Sequence, residues 1–293
     1  MGRRSWGESR GLVRRPDPVA RERRIAGFLF FATCTSVFVV YLFSWEREPL
    51  LSHPDVPMRA LVFTATLMGI LLAHELGHYA VARMHRFRLS MPWFIPAPFW
   101  VGTLGAIIRL EEPPRDRNGL VEMGAAGPLA GLVVIVGVMV LRLWGGAPSD
   151  PVGDGWVLAR PPLWWAVGLV MNGSHPPLIS TQDPMAFAAW IGCLVTAMNL
   201  FPFGQLDGGH VLAGCWPAGA WVVGWVTTGV LLLGGVIWPA WAVWVALLHV
   251  MGARSPVEPR DREAPLSRRA RVIAGLSALG FLLCFTPVPV WAV

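Results

Sequence analysis

The 293-residue chain is 54% hydrophobic and only 14% charged, with a mean hydropathy of +0.52. This composition is far more apolar than that of average soluble proteins and indicates a membrane protein before any motif is considered. The chain carries 24 basic and 18 acidic residues, a balance that alone would suit a nucleic-acid partner. Every basic residue is an arginine, however, and the arginines cluster between apolar stretches. We therefore expect the arginines to lie in cytoplasmic loops beside a bilayer. A nucleic-acid partner is not expected.

Apolar stretches recur along the chain, and crossing a bilayer takes about 20 helical residues. The predicted spans cover residues 25–45, 60–84, 120–141, 185–201, 217–236 and 272–290. A shorter apolar stretch between Pro239 and Met251 would be a seventh crossing. The sequence thus predicts an all-α, multi-pass integral membrane protein with six or seven transmembrane helices.

The distribution of arginine predicts the orientation of these spans, because loops rich in arginine stay in the cytoplasm. Residues 3–24 hold 8 arginines, residues 83–117 hold 6 and residues 254–271 hold 6, which is 20 of the 24. We therefore expect the N-terminus in the cytoplasm. The predicted parts are an Arg-rich cytoplasmic tail (1–24), a transmembrane core (25–252), an Arg-rich cytoplasmic loop (253–271) and a C-terminal span (272–293).

The stretch between spans two and three, residues 89–110, is too apolar for an ordinary loop. It is also too rich in proline for a helix, because Pro92, Pro96 and Pro98 precede a β-compatible run over residues 101–110. Irregular backbone is tolerated at membrane depth only where protein or water satisfies its polar groups. A membrane-embedded, β-like re-entrant segment is therefore expected here.

Span two contains the motif His74-Glu75-Leu76-Gly77-His78. Histidine and glutamate are costly inside a bilayer, so their presence requires an explanation. Helical spacing places His74 and His78 one turn apart on one face, where both imidazoles can bind one Zn²⁺. Glu75 projects beside them towards a metal-bound water. Histidines buried for packing alone are the structural alternative, which a transmembrane setting disfavours.

Catalytic zinc takes three protein ligands and leaves one position for water, so a third ligand must come from elsewhere. One acidic residue, Asp207, stands in apolar surroundings after span four. Spans two and four both end at the cytoplasmic side, which gives Asp207 and the histidine pair compatible depths. His210 is either an outer partner of Asp207 or a helix-start histidine at the interface. The remaining histidines that could supply a third ligand are His53, His85, His175 and His249.

The His-Glu-x-x-His helix is followed by Asn199-x-x-Pro202 and then by Leu206-Asp207-Gly208. These motifs, in this order and on separate spans, resemble the site-2 protease family of intramembrane zinc metalloproteases, peptidase family M50. The resemblance covers roughly residues 60–215. The stretch between spans three and four, roughly residues 144–184, is predicted as an external loop of some forty residues, too short for an independent module. The chain therefore resembles the branch of the family without a PDZ domain.

The resemblance implies a role for each residue of the site. One Zn²⁺ per chain would be held by His74, His78 and Asp207, with Glu75 as the catalytic base. Asn199 would help to hold the substrate or the developing oxyanion. The tract before span three would form a membrane-embedded sheet whose edge accepts an unfolded substrate strand.

The expected function is regulated intramembrane proteolysis, in which single-span membrane proteins are cleaved towards the cytoplasmic side. The expected partners are a single-span transmembrane substrate and the lipid bilayer, and the oligomeric state is left open. A non-proteolytic helix-binding protein of the same fold would lack a catalytic residue, whereas Glu75 and all three candidate ligands are present. A metal or ion transporter would show internal repeats and polar residues along several spans. A soluble zinc protease would have no use for the apolar spans.

Overall fold

A computed structural model of the chain describes residues 18–46, 48, 53–87, 89–108, 112, 114–146, 156–173, 175–250 and 257–292. Most of the predicted tail 1–24, the last residues of the predicted β-compatible run and the first residues of the predicted loop 253–271 lie outside these ranges. The described part forms nine α-helices, one π-helical turn and four short strands.

The helices are α1 (Pro18–Val40), α2 (Val56–Met84), α3 (Arg117–Trp144), α4 (Pro162–Asn172), α5 (Pro184–Leu200), α6 (Asp207–Cys215), α7 (Ala220–Gly234), α8 (Ala240–Val250) and α9 (Arg268–Cys284). The π-helical turn, Tyr41–Trp45, continues α1. The strands are β1 (Trp93–Pro96), β2 (Thr103–Ile107), β3 (Trp156–Leu158) and β4 (Val290–Ala292).

Three helices are long and apolar enough to cross a membrane, namely α2, α3 and the continuous helix Val19–Trp45. Helices α5, α7 and α8 are equally apolar but have only 17, 15 and 11 residues. The structure therefore confirms the mostly helical class with several apolar helices that the sequence predicts for a membrane protein.

Short polar side chains fix where three of the helices begin. Asp116 accepts a hydrogen bond from the backbone N–H of Gly119 at 2.8 Å at the start of α3. Asp183 does the same for α5, and Ser267 for α9. Each of these side chains satisfies a backbone donor that has no partner within its own helix.

Helix α2 lies at the centre of the structure, packed against α3 and α5, while α3 also contacts α6 and α9. Near the start of α2, the ring of Phe63 stacks between Tyr41 and Phe187, with ring centroids 4.5 and 5.3 Å apart. All three aromatic side chains are fully buried. This aromatic stack joins α1, α2 and α5 at one end of the structure.

Strands β1 and β2 form an antiparallel hairpin between α2 and α3, with Trp93 opposite Ile107. Helix α1 packs against the hairpin, where Glu22 accepts a hydrogen bond from the backbone N–H of Met91 at 2.8 Å. The sequence predicts a β-like segment over residues 89–110 with a β-compatible run from residue 101, and β1 lies in the proline-containing part ahead of that run. The pairing is irregular between Phe94 and Pro96, as expected beside a proline, which cannot donate to a strand ladder.

The stretch predicted as an external loop between spans three and four contains β3 and α4. Strand β3 pairs with β4 near the end of the chain, with Leu158 opposite Val290. Helix α4 ends at Gly173, whose φ of +63° is the left-handed conformation that glycine favours at a helix end. Arg142 at the end of α3 forms an ion pair with Asp183 at the start of α5.

We predict that Gly102→Ala destabilises the protein more than Gly105→Ala does. Both glycines have a positive φ, +87° and +90°, so both substitutions strain the backbone. A methyl group at residue 102 would also lie 2.3 Å from the Cα of Val37 in α1, whereas one at residue 105 meets no atom within 4 Å. The clash should add about 1–3 kcal/mol of destabilisation. Thermal unfolding in detergent micelles measures this difference, and equal unfolding midpoints would contradict the packing of α1 on the hairpin.

Candidate metal centre

Two histidines of α2 and the first residue of α6 meet inside the structure. The Nε2 atoms of His74 and His78 are 3.1 Å apart. Oδ2 of Asp207 lies 3.1 Å from Nε2 of His74, and Oδ1 lies 3.3 Å from Nε2 of His78. Residues that are more than 120 positions apart in sequence therefore present three donor atoms to one point.

The separations between these donor atoms suit a metal ion. Ligand atoms about 2.0–2.1 Å from a tetrahedral zinc ion lie about 3.3 Å from one another. The three observed separations are 3.1 to 3.3 Å. Two imidazoles and a carboxylate are also a donor set that catalytic zinc uses, with a fourth position left for water. Within the described ranges, this is the one group of three or more His, Cys, Asp or Glu residues placed to hold a metal.

A backbone carbonyl fixes the orientation of the His78 ring. Nδ1 of His78 lies 2.8 Å from the carbonyl oxygen of Met123 in α3. A carbonyl only accepts, so Nδ1 carries the proton and donates. Nε2 then keeps its lone pair for the metal, which is the arrangement that most metal-binding histidines show.

Glu75 and Asn199 complete the set of residues that the sequence predicts for the site. Glu75 is buried, 8% exposed, and lies close enough to His74, His78 and Asp207 to interact with them electrostatically. Nδ2 of Asn199 in α5 lies 3.5 Å from Nε2 of His74, too far for a strong hydrogen bond but within the same cluster. The structure thus brings all five predicted residues together.

The turn before α6 places Asp207 at the site. A methyl group at Gly208 would lie 2.0 Å from the carbonyl oxygen of Leu200, so the chain folds back closely on the end of α5. Burial raises the pKa of the Asp207 carboxyl, but the imidazoles of His78 and His74 outweigh burial and hold that pKa below its usual range.

His210 does not act as the outer partner of Asp207 in this structure. Its Nδ1 atom is buried and has no hydrogen-bond partner among the described residues. Its Cβ lies against Gly124 of α3, where a methyl group would come within 2.8 Å. The interpretation of His210 that requires a hydrogen bond to Asp207 therefore does not hold in this structure.

Gly127 and Gly131 of α3 lie directly against the two histidines. A methyl group at Gly127 would come within 2.1 Å of Nε2 of His78, and one at Gly131 within 3.5 Å of the Cβ of His74. The small-residue run Gly127-Pro128-Leu129-Ala130-Gly131 is by itself typical of a packing contact with another helix. The four-residue spacing of the glycines, matching that of the histidines on a neighbouring helix, is the signal that could have linked the patch to the site.

The family model for peptidase family M50 matches residues 62–221, a range that contains all five residues of the cluster. The chain belongs to peptidase family M50. The membership predicted from the motifs is therefore confirmed.

Among named proteins, the chain is similar to the probable zinc metalloprotease EGY1, chloroplastic, of Arabidopsis thaliana. The two are 29% identical over 247 residues, 79% of this chain and 43% of that relative. It is also similar to the probable zinc metalloprotease EGY2, chloroplastic, of Oryza sativa subsp. indica, with 28% identity over 240 residues, 77% of this chain and 42% of the relative. The chain spans about two fifths of the length of these relatives.

We predict that Gly127→Ala weakens zinc binding at least about tenfold, a loss of about 1.4 kcal/mol. The added methyl group would occupy the space of the His78 imidazole, whereas at Gly137, on the same helix, it would meet nothing within 4 Å. Gly137→Ala is therefore the matched control and should bind zinc as the unmodified protein does. Competition with a chelator measures the affinity, and unchanged affinity in Gly127→Ala would show that α3 does not confine His78.

Proposed function

We propose that the chain is a zinc metalloprotease that hydrolyses peptide bonds in single-span membrane proteins, within the bilayer or at its cytoplasmic surface. The observation that carries this proposal is the set of three donor atoms at tetrahedral spacing beside Glu75, two of them on α2, a helix long enough to cross a membrane. Membership of peptidase family M50 and the names of the relatives support it.

One zinc ion per chain would be held by His74, His78 and Asp207. When bound there, zinc supplies a Lewis acid that polarises the scissile carbonyl and makes water a stronger acid. The Glu75 carboxylate takes a proton from the attacking water and then gives it to the leaving amine as the peptide C–N bond breaks. Burial of Glu75 keeps bulk water away from this transfer and strengthens its electrostatic effect.

Asn199 is the proposed donor to the substrate oxygen. Its amide nitrogen lies on the side of the centre formed by α5, 3.5 Å from Nε2 of His74. An amide N–H aimed at a carbonyl that gains negative charge stabilises the transition state more than the ground state. The side chain is only partly buried, which leaves room for a substrate beside it.

The β1–β2 hairpin is the proposed docking edge for the unwound substrate and forms the membrane-embedded segment of the fold. Within the described ranges β2 pairs with one strand, β1, and we propose that its other edge accepts an extended peptide. Leu104 and Ile107 of β2 are 53% and 41% exposed. Adding a strand would satisfy the backbone groups of a substrate helix that unwinds in an apolar environment.

The proposed topology has a cytoplasmic N-terminus, six or seven spans, a C-terminal span and a site that faces the cytoplasm. Contacts between two of the Arg-rich segments support this arrangement. Arg260 forms an ion pair with Glu112, and the backbone N–H of Asp261 donates to the carbonyl oxygen of Arg115 at 3.0 Å. The segments thus lie at the same end of the structure, as loops on one side of a bilayer must.

We predict that Glu75→Gln retains zinc but cleaves a single-span substrate about 10²–10⁴-fold more slowly, because the amide cannot take the proton. Asp207→Ala should lose zinc and activity together, because one of three ligands is gone. Asp55→Asn, at the exposed start of the same helix α2, is the control and should retain both properties. Metal analysis and cleavage in proteoliposomes measure these outcomes, and full cleavage by Glu75→Gln would contradict the mechanism.

A further inference from the structure

A second cluster of charged residues lies near the start of α3, apart from the candidate metal centre. Glu122 is buried, 5% exposed, and its Oε2 atom lies 3.1 Å from Nε2 of His85 and 3.2 Å from Nη2 of Arg269. His85 directly follows α2, and Arg269 lies in the first turn of α9. One carboxylate therefore joins three helices at a single point.

A buried carboxylate is an expensive way to join helices. Removing the charge from water is costly, and its partners return much of that cost only when the geometry is good. An apolar side chain of similar size would often stabilise such a position equally well. A buried carboxylate at this position therefore indicates a role for Glu122 beyond stability.

Several hydrogen bonds hold the start of α9 against the start of α3 and so bring Arg269 to Glu122. The side-chain oxygen of Asn118 accepts a bond from the backbone N–H of Ser267 at 2.8 Å. Arg117 also donates to the carbonyl oxygen of Ala264, just before the start of α9. The partner of Glu122 is therefore presented by a segment that is itself fixed on α3.

The cluster adjoins the hydrogen bond that orients a candidate metal ligand. Glu122 is followed by Met123, whose carbonyl oxygen lies 2.8 Å from Nδ1 of His78. A carbonyl has no side-chain freedom, so its direction depends on where this turn of α3 lies relative to α2. The contact between Glu122 and His85, which follows the end of α2, links this part of α3 to α2.

We propose that Glu122 is a positioning residue for the metal centre. Through His85 and Arg269 it holds the first turns of α3 so that the Met123 carbonyl keeps His78 turned towards the metal. The inference rests on the proposed zinc site, and it links the start of α9 to the chemistry at α2.

The test compares zinc release in three variants of the full-length protein. In Glu122→Gln the carboxylate charge is lost at nearly unchanged volume, and zinc transfer to a chelator should be about tenfold faster, the lower end of the range for residues that orient a metal ligand. The visible absorption bands of the cobalt-substituted protein should also change, because the His78 ring is less well oriented. Arg269→Gln, which removes one partner at a 60% exposed position, should give a smaller change in the same direction.

Asp183→Asn is the matched control because it breaks another largely buried ion pair, with Arg142, at the opposite end of α3. At a similar loss of thermal stability it should release zinc at the rate of the unmodified protein. Equal zinc release by Asp183→Asn and Glu122→Gln would show a merely structural effect and overturn the inference.

Unchanged release and an unchanged cobalt spectrum in Glu122→Gln would also overturn it. If the unmodified protein held no divalent metal, the proposed function itself would fail. That outcome differs from a metal-loaded protein whose zinc release is unchanged in Glu122→Gln, which overturns only the inference.

Discussion

The close approach of α2 and α3 is the constraint on which the candidate site depends. Apolar helices in a lipid environment gain little from hydrophobic association, so close packing requires small residues at their contact. Gly77 meets this requirement on α2, because a methyl group there would lie 2.4 Å from the carbonyl oxygen of Ala126. Gly127 does so on α3, against the His78 ring. Only at this distance can a backbone carbonyl of α3 reach a histidine of α2.

Polar contacts lie along the length of α3. At its start Glu122 contacts His85 and Arg269, and one residue later the Met123 carbonyl orients His78. At its far end Arg142 pairs with Asp183. Each pair resists movement of its own end of the helix, because movement would leave a largely buried charge without its partner. The metal centre lies beside the start of α3, so the contacts of Glu122 and Met123 hold its wall, and the pair at the far end stabilises the fold.

The histidine pair could be predicted from sequence because helical spacing is local, whereas Asp207, 133 residues from His74, could be assigned only through a recognised motif. The pairing of β3 with β4 joins three-residue strands from distant parts of the chain, which carry no periodic signal of their own. Helix α4 lies in the stretch interpreted as an external loop, because its 11 residues are too few for a span. The role of Gly127 depends on the side chain opposite it, which no local pattern reveals.

X-ray absorption at the zinc edge of the purified, zinc-loaded protein tests the central claim most directly. The account predicts one zinc ion per chain with two imidazole ligands and oxygen ligands at about 2.0–2.2 Å, and loss of this signal in Asp207→Ala. A zinc shell without imidazole scattering, or one with sulfur ligands at about 2.3 Å, would contradict the assignment of His74, His78 and Asp207 as the metal ligands.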